Sequence, residues 1–421
     1  MKLRWMVLLA AVQFAAAQPK SGDHWVTTWA TAELLVRTPP PAMAPPAPQA
    51  KANPATRGFD NQTVRMTARV SIGGRRLRLR ISDAFGSAPV TIGAVHVAVR
   101  DKDSAIAAGS DHAVMFDGKP GCVIGPGIVR ISDPLDMTVA SGTDVSVSIF
   151  FPGETGPPTN HGTGLHNTYV AAGDQTGAAS LPDAQRNTQY FYLAGIDVAA
   201  APDAATVVTF GDSITDGARS ENETNHSWPA LLAARLAGNK GTASIGVANL
   251  GIGGNRVLRD ISGASALARF DRDVLSQPGV KWLMVLEGIN DIGHGAQAPA
   301  EAVTAEDLIA GHKQIIEMAH AHGIQVIGCT LTPYEGASYY RDGGETIREA
   351  LNQWIRTGGA YDAVVDFDAA TRDSGDPKKI RADFDPGDHL HPNNAGYEAM
   401  ANAVDLAIFT AKPARPVKSK K

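Results

Sequence analysis

Val207–Gly217 reads VVTFGDSITDG. An apolar run stops at Gly211-Asp212-Ser213 and continues into small and polar residues. A tight strand-to-helix turn accounts for these letters, with Asp212 or Ser213 capping the helix. So does a nucleophile at the carboxyl end of a parallel strand, the side on which open α/β sheets hold their ligands. The choice between them rests on whether the rest of the chain supplies partners.

Downstream, short apolar strands alternate with helical patterns. TVVTF (206–210), SIGVANLG (244–251), VKWLMVLEG (280–288), IQVIGCTLTP (324–333) and AVVDFD (363–368) read as strands. SWPALLAARLA (227–237), with Ser227 as N-cap and Pro229 in its first turn, reads as a helix. So do residues 305–323, 344–359 and 393–409. Strand–helix alternation predicts a parallel sheet covered on both faces with right-handed crossovers.

Upstream, the period is two. Val64, Met66, Ala68 and Val70 alternate with Arg65, Thr67 and Arg69; after Gly73-Gly74, Leu77, Leu79 and Ile81 alternate with Arg76, Arg78 and Arg80. This predicts a β-hairpin whose basic face is solvated. TIGAVHVAV, GIVRIS and DVSVSIFF continue the pattern, so residues 18–200 are expected to form an all-β sandwich or jelly roll. PPPAMAPPAPQAKANP (39–54) cannot hold regular structure. The connection GIDVAAAPDAA is too short for a flexible linker, which predicts a β domain fixed to the second half of the chain.

The 421 residues carry a net charge of -5, which gives no footprint for nucleic acid. The first 17 residues, with Lys2 and Arg4 before an apolar stretch ending in Ala15-Ala16-Ala17, have the pattern of a secretory signal peptide. The expectation is a secreted or periplasmic protein without a membrane span, with residues 411–421 as a basic tail. Cys122 and Cys329 are expected to be free thiols rather than an interdomain bridge.

Each parallel strand ends in a polar or glycine-rich turn: Gly211-Asp212-Ser213, Gly253-Gly254-Asn255, Gly288 with Asn290 and Asp291, and, before the last helix, DPGDHLHPNNAGY with Asp388 and His391. Strand ends share one side of a parallel sheet, so these blocks share a cleft. Their chemistry suits acyl transfer. Ser213 needs an imidazole to take its proton, which His391 supplies. Asp388, three residues before His391, is placed to orient it. The Ser213 and Gly254 amides and the Asn290 side chain offer three donors to an oxyanion.

In these blocks, FGDSIT, GIGGN, GIND and DHLH, in this order, the sequence resembles the SGNH or GDSL esterases and lipases over roughly 201–410. The resemblance implies a flavodoxin-like α/β/α hydrolase domain preceded by the β domain. It also implies Ser213 as nucleophile, Asp388 and His391 completing a triad, and Gly254 and Asn290 completing the oxyanion hole. Ile214 stands where the motif name has Leu, and Gly253 beside Gly254 leaves open which amide donates. The β half resembles, without a short motif, a two-domain branch that includes xylan esterases, and so points to acetylated polysaccharide as substrate.

The serine is not in the G-x-S-x-G turn of α/β-hydrolases, and its acid and base are three residues apart. Asp212 is expected as a buried turn acceptor, Asp291 as a loop tie, and His389 as exposed or structural. Arg256 and Trp228 are placed near the cleft mouth as substrate contacts, and the loop 330–344, with Tyr334, along the acyl pocket. Triad chemistry needs no cofactor or metal. Three other readings stay open: a lipase or aryl esterase for longer acyl chains, a metal-dependent hydrolase using Asp388, His389, His391 and Asp212, and a non-catalytic carbohydrate-binding protein. Oligomeric state is not legible.

Overall fold

The computed structural model describes residues 22–35 and 57–411. The expected leader, the stretch 39–54 and all but the first residue of the expected tail lie outside the described residues.

The first half is built from antiparallel pairs. A four-stranded sheet runs, in spatial order, His24–Ala30, Leu193–Ala200, Leu77–Ser82, Val129–Ile131. A six-stranded sheet runs Gln185–Asn187, Thr168–Ala172, Gln62–Arg69, Asp144–Phe151, Ala94–Val99, His112–Ala113. Val64, Met66, Val97 and Val147 of the larger sheet share one buried core with Leu77, Leu79, Ile196 and Val198 of the smaller. Two sheets closing on a common apolar layer form a sandwich.

The expected hairpin is not formed. Gln62–Arg69 pairs with Asp144–Phe151 and Thr168–Ala172, whereas Leu77–Ser82 pairs with Leu193–Ala200 in the other sheet. The chain changes sheets at Gly73-Gly74, where a Cβ would lie 2.6 Å from Val139 O at the first glycine and 2.7 Å from Val198 Cβ at the second. Alternation reports which face is apolar and is silent on which strand lies alongside.

Nor is the arginine row a solvated face. Arg65 is 1% exposed and donates to Ser148 Oγ at 2.8 Å and to the carbonyls of Ser104 and Ala178 at 2.7 and 2.8 Å. Arg78 and Arg80 flank the buried Asp197 at 3.0 and 3.3 Å.

The second half holds a five-stranded parallel sheet. Its strands in chain order are Ala205–Gly211, Ile245–Gly251, Val280–Leu286, Gln325–Cys329 and Ala363–Val365. Their spatial order is 2-1-3-4-5, the flavodoxin-like arrangement. Two groups of helices cover it. Trp228–Gly238 packs with Asn394–Ala403, and Ala305–Ala321 with Asp342–Thr357. The third helix begins in a reciprocal capping box between Thr304 and Asp307. Ser227 does precede the first of them, with Pro229 in the opening turn, but its hydroxyl makes no capping bond. Cys122 and Cys329 are both free.

The halves are joined by buried polar contacts. Thr27 N donates to Pro278 O at 2.9 Å, and Arg80 to Gln277 Oε1 at 2.6 Å. Ser71 Oγ receives Val247 N at 2.9 Å, occupying a backbone donor of the edge strand Ile245–Gly251 that would otherwise invite another strand.

Glu33 lies buried at this junction, and burial pushes its carboxyl up to about 7 despite the Arg272 guanidinium. Its ordinary value is 4.5, so between there and about 7 the folded chain holds a proton that the unfolded chain has released. Stability must therefore fall as pH rises through that window, by about 3 kcal/mol for the full shift. Glu33→Gln, which cannot ionise, is expected to flatten this slope and to melt above wild type at pH 8. Parallel Tm–pH curves for the two proteins would disprove it.

Candidate active site

Ala205–Gly211 runs into a single helical turn, Ser213–Asp216. Asp212 caps that turn, its Oδ1 accepting from Ile214 N at 2.9 Å. Asp212 is fully buried, and burial pushes its carboxyl up to about 7, with the Ile214 N–H pulling the other way. No Cβ fits at Gly211, where it would lie 2.2 Å from Thr215 Oγ1. Strand and turn are thus locked together, and Ser213 is left at the strand end.

His391 Nε2 lies 2.8 Å from Ser213 Oγ, and His391 Nδ1 lies 2.9 Å from Asp388 Oδ2. Asp388 Oδ1 also accepts the backbone N–H groups of Leu390 and His391 at 3.2 and 3.0 Å, which fixes the carboxylate within one turn. Burial works upward on Asp388, but the His391 N–H groups and Arg219 outweigh it and hold the carboxyl down at about 2. An ionised carboxylate only accepts, so His391 carries its proton on Nδ1 and turns a lone pair toward the serine.

Gly254 and Asn290 flank the same strand ends. Gly254 has φ +76°, and a Cβ there would lie 2.7 Å from Ser262 Oγ; a Cβ at Gly253 meets nothing. Only the second glycine is therefore demanded by the backbone. Among the described residues, neither the Ser213 nor the Gly254 N–H donates to a protein acceptor. Asn290 Nδ2 donates to Asn255 O at 3.0 Å, and Tyr339 OH reaches Asn290 Oδ1 at 3.4 Å. Asp291 ties the loops as expected of it, accepting from Val257 N and Leu258 N at 2.8 and 3.1 Å.

Three expected contacts are elsewhere. Trp228 is 0% exposed and packs on Phe367 in the core, because the first turn of its helix faces inward. Arg256 is 2% exposed, with its guanidinium spent on Glu301 Oε2 at 2.6 Å and Asp260 O at 3.3 Å. Tyr334 is 0% exposed; its neighbour in the same loop, Tyr339, is the one that reaches Asn290. His389 is half exposed and pairs with Asp385 at 2.5 Å.

Two arginines were not anticipated. Arg269, fully buried, donates to Gly211 O, Leu250 O and Asn255 Oδ1 at 3.0, 2.7 and 2.9 Å, binding the ends of the first two strands together. Its sequence signal is Arg269 near the end of the apolar run ALARF, with Asp273 at i+4. Arg219 donates through Nε to Asp388 Oδ2 at 2.9 Å. From the β sandwich, His161 reaches the far end of the serine's turn, 3.0 Å from Asp216 Oδ1. A cavity of about 440 Å³ between the halves, lined in part by Trp29, His161, Leu165 and Asp216, contains neither Ser213 nor His391.

Residues 209–399 match the GDSL-like Lipase/Acylhydrolase family, and they lie within the flavodoxin-like domain. The protein is accordingly an ester hydrolase. Among solved structures it is similar to a GDSL-like lipase from Bacteroides thetaiotaomicron VPI-5482, at 20% identity over 48% of this chain and 87% of that one, with a TM-score of 0.37. It is also similar to an acetyl xylan esterase, at 21% identity over 47% of this chain and 96% of that one, with the same TM-score of 0.37. No curated protein matches.

Proposed function

We propose that the protein is a secreted or periplasmic serine esterase that deacetylates carbohydrate esters of the xylan type through an acyl-enzyme. The observation that carries the mechanism is the relay from Ser213 Oγ to His391 Nε2 at 2.8 Å and from His391 Nδ1 to Asp388 Oδ2 at 2.9 Å. Ser213 Oγ attacks the ester carbonyl as His391 Nε2 takes its proton. The oxyanion is held by the Ser213 and Gly254 N–H groups and by the Asn290 amide hydrogen not given to Asn255. The tetrahedral adduct collapses, and the alcohol leaves with the proton from His391. Water, deprotonated by the same imidazole, then attacks the acyl-serine; the adduct collapses, the carboxylic acid leaves, and Ser213 Oγ takes the proton back from His391.

A short acyl group is supported by Tyr339. Its ring lies so close over Gly293 that a Cβ there would sit 2.5 Å from it. With its hydroxyl 3.4 Å from Asn290 Oδ1, this ring is our proposed wall on the acyl side. A metal-dependent reading is disfavoured because both nitrogens of His391 and Nδ1 of His389 are already engaged. In this reading, residues 18–200 form a fixed β domain and 201–410 the catalytic domain.

The test is a series of esters from acetate to long acyl chains, run beside acetylated xylan, with and without EDTA. We expect kcat/KM to be greatest for acetate, acetate release from xylan, and no effect of the chelator. A maximum at longer chains would replace the acetyl specificity with that of a lipase or aryl esterase. Activity lost to EDTA and restored by zinc would replace the serine mechanism.

A further inference from the structure

The oxygen of Asp388 that accepts from His391 is already shared. Arg219 Nε donates to Asp388 Oδ2 at 2.9 Å, the same distance as from His391 Nδ1. Among the described residues Arg219 is the only cationic side chain other than histidine paired with Asp388, and it is 61% exposed.

The placement is built rather than incidental. Arg219 follows the serine's turn by three residues and has φ +70°, a conformation uncommon outside glycine. Tyr397 OH holds the preceding carbonyl, Ala218 O, at 2.6 Å. Further along the loop, Glu223 lies 2.6 Å from Arg100 and 3.2 Å from His166, both in the β sandwich. Burial works upward on the Glu223 carboxyl, but His166, the Asn167 N–H and Arg100 outweigh it and hold it down at about 2, so this anchor stays ionised across the working range. The loop is thus pinned to both halves, with its arginine turned back onto the catalytic acid.

From this geometry we propose that Arg219 is a positioning residue that sets the acid limit of activity. This rests on the triad reading of Ser213, His391 and Asp388. The guanidinium takes up part of the charge on Asp388 Oδ2 and stands as a second cation beside the imidazolium. Both effects disfavour protonated His391, so the base stays neutral at lower pH than Asp388 alone would allow.

The other groups facing the pair do not duplicate this role. Asp212, buried under the serine, is pushed toward its neutral form, and Asp216 is matched by His161. Tyr339 from the 330–344 loop and Tyr397 from the last helix are held neutral by burial. Asp385 and His389 pair with each other.

The experiment is kcat/KM against pH for wild type, Arg219→Gln and Arg219→Lys on a soluble acetate ester, at low ionic strength and again near about 1 M salt. Loss of the charge in Arg219→Gln should move the acid limb up by about half a pH unit, the scale of one exposed cation. Arg219→Lys should keep most of the wild-type limb. Salt should move the wild-type limb toward that of Arg219→Gln and leave Arg219→Gln in place. A uniform drop in rate with the limb unmoved makes Arg219 a structural support and overturns the proposal, as does a limb that moves down. Fluorophosphonate labelling of Ser213 in all three proteins separates the two readings. Labelled Ser213 with an unmoved limb sinks only the role of Arg219; unlabelled Ser213 sinks the triad beneath it.

Discussion

Ser213→Ala is expected to abolish ester hydrolysis and to leave the thermal transition close to that of wild type. Ser213 is the hydroxyl 2.8 Å from His391 Nε2, and no other hydroxyl bonds that nitrogen among the described residues. In hydrolases of this kind, loss of the nucleophile removes roughly 10⁶ of kcat, leaving only what the oxyanion donors and binding supply. The side chain is partly exposed and its removal opens no core cavity, so the cost in stability should be within about 0.5 kcal/mol. A fluorophosphonate probe should add one adduct to wild type, at Ser213 by peptide mass, and none to the variant. An adduct on another serine would refute the assignment.

Asn290→Ala should lower kcat by about 10²–10³, or about 2.7–4 kcal/mol, with KM little changed. A donor aimed at the oxyanion strengthens only as charge develops there, so its loss is felt in the transition state alone. Two contacts of Asn290 suit that proposed role. One amide hydrogen is given to Asn255 O, which fixes the plane of the group beside Gly254, and the Tyr339 hydroxyl sits on its oxygen. Asn290→Asp should be at least as poor, since a carboxylate repels the oxyanion. A raised KM with kcat retained would make Asn290 a binding or turn residue. The variant also leaves Asn255 O without its partner, so a melting curve must accompany the kinetics.

The strand-end blocks were legible because a parallel sheet turns sequence order into spatial proximity. Ser213, Gly254, Asn290 and the Asp388–His391 pair could be placed on one side of the sheet from strand ends alone. Asp388 and His391 were the easiest, since their relation is local. What a side chain meets at long range was not legible. Arg256 sits two residues after Gly254 and Trp228 opens the helix that follows the serine's turn, yet packing spends the first on Glu301 and turns the second into the core. The period-two segments around Gly73-Gly74 marked their apolar face correctly, but they hid that the arginine face is largely buried too and that the chain steps from one sheet to the other. Arg219 carried no signal, because its role depends on a left-handed backbone turn and on an aspartate far along the chain.

The strand His24–Ala30 pairs with Leu193–Ala200, and His24 Nε2 lies 2.9 Å from Ala204 O, 180 residues along the chain. One of the first described strands thus waits for one of the last of the sandwich. Closing so large a loop is entropically costly before any contact repays it, and topologies of this kind fold slowly. The four-stranded sheet cannot be finished until Leu193–Ala200 is available to His24–Ala30, and Thr27 then still awaits Pro278. Until that point strand edges are open to wrong partners. Truncating the amino end should therefore harm the yield of folded protein more than the rate of the molecules that do fold.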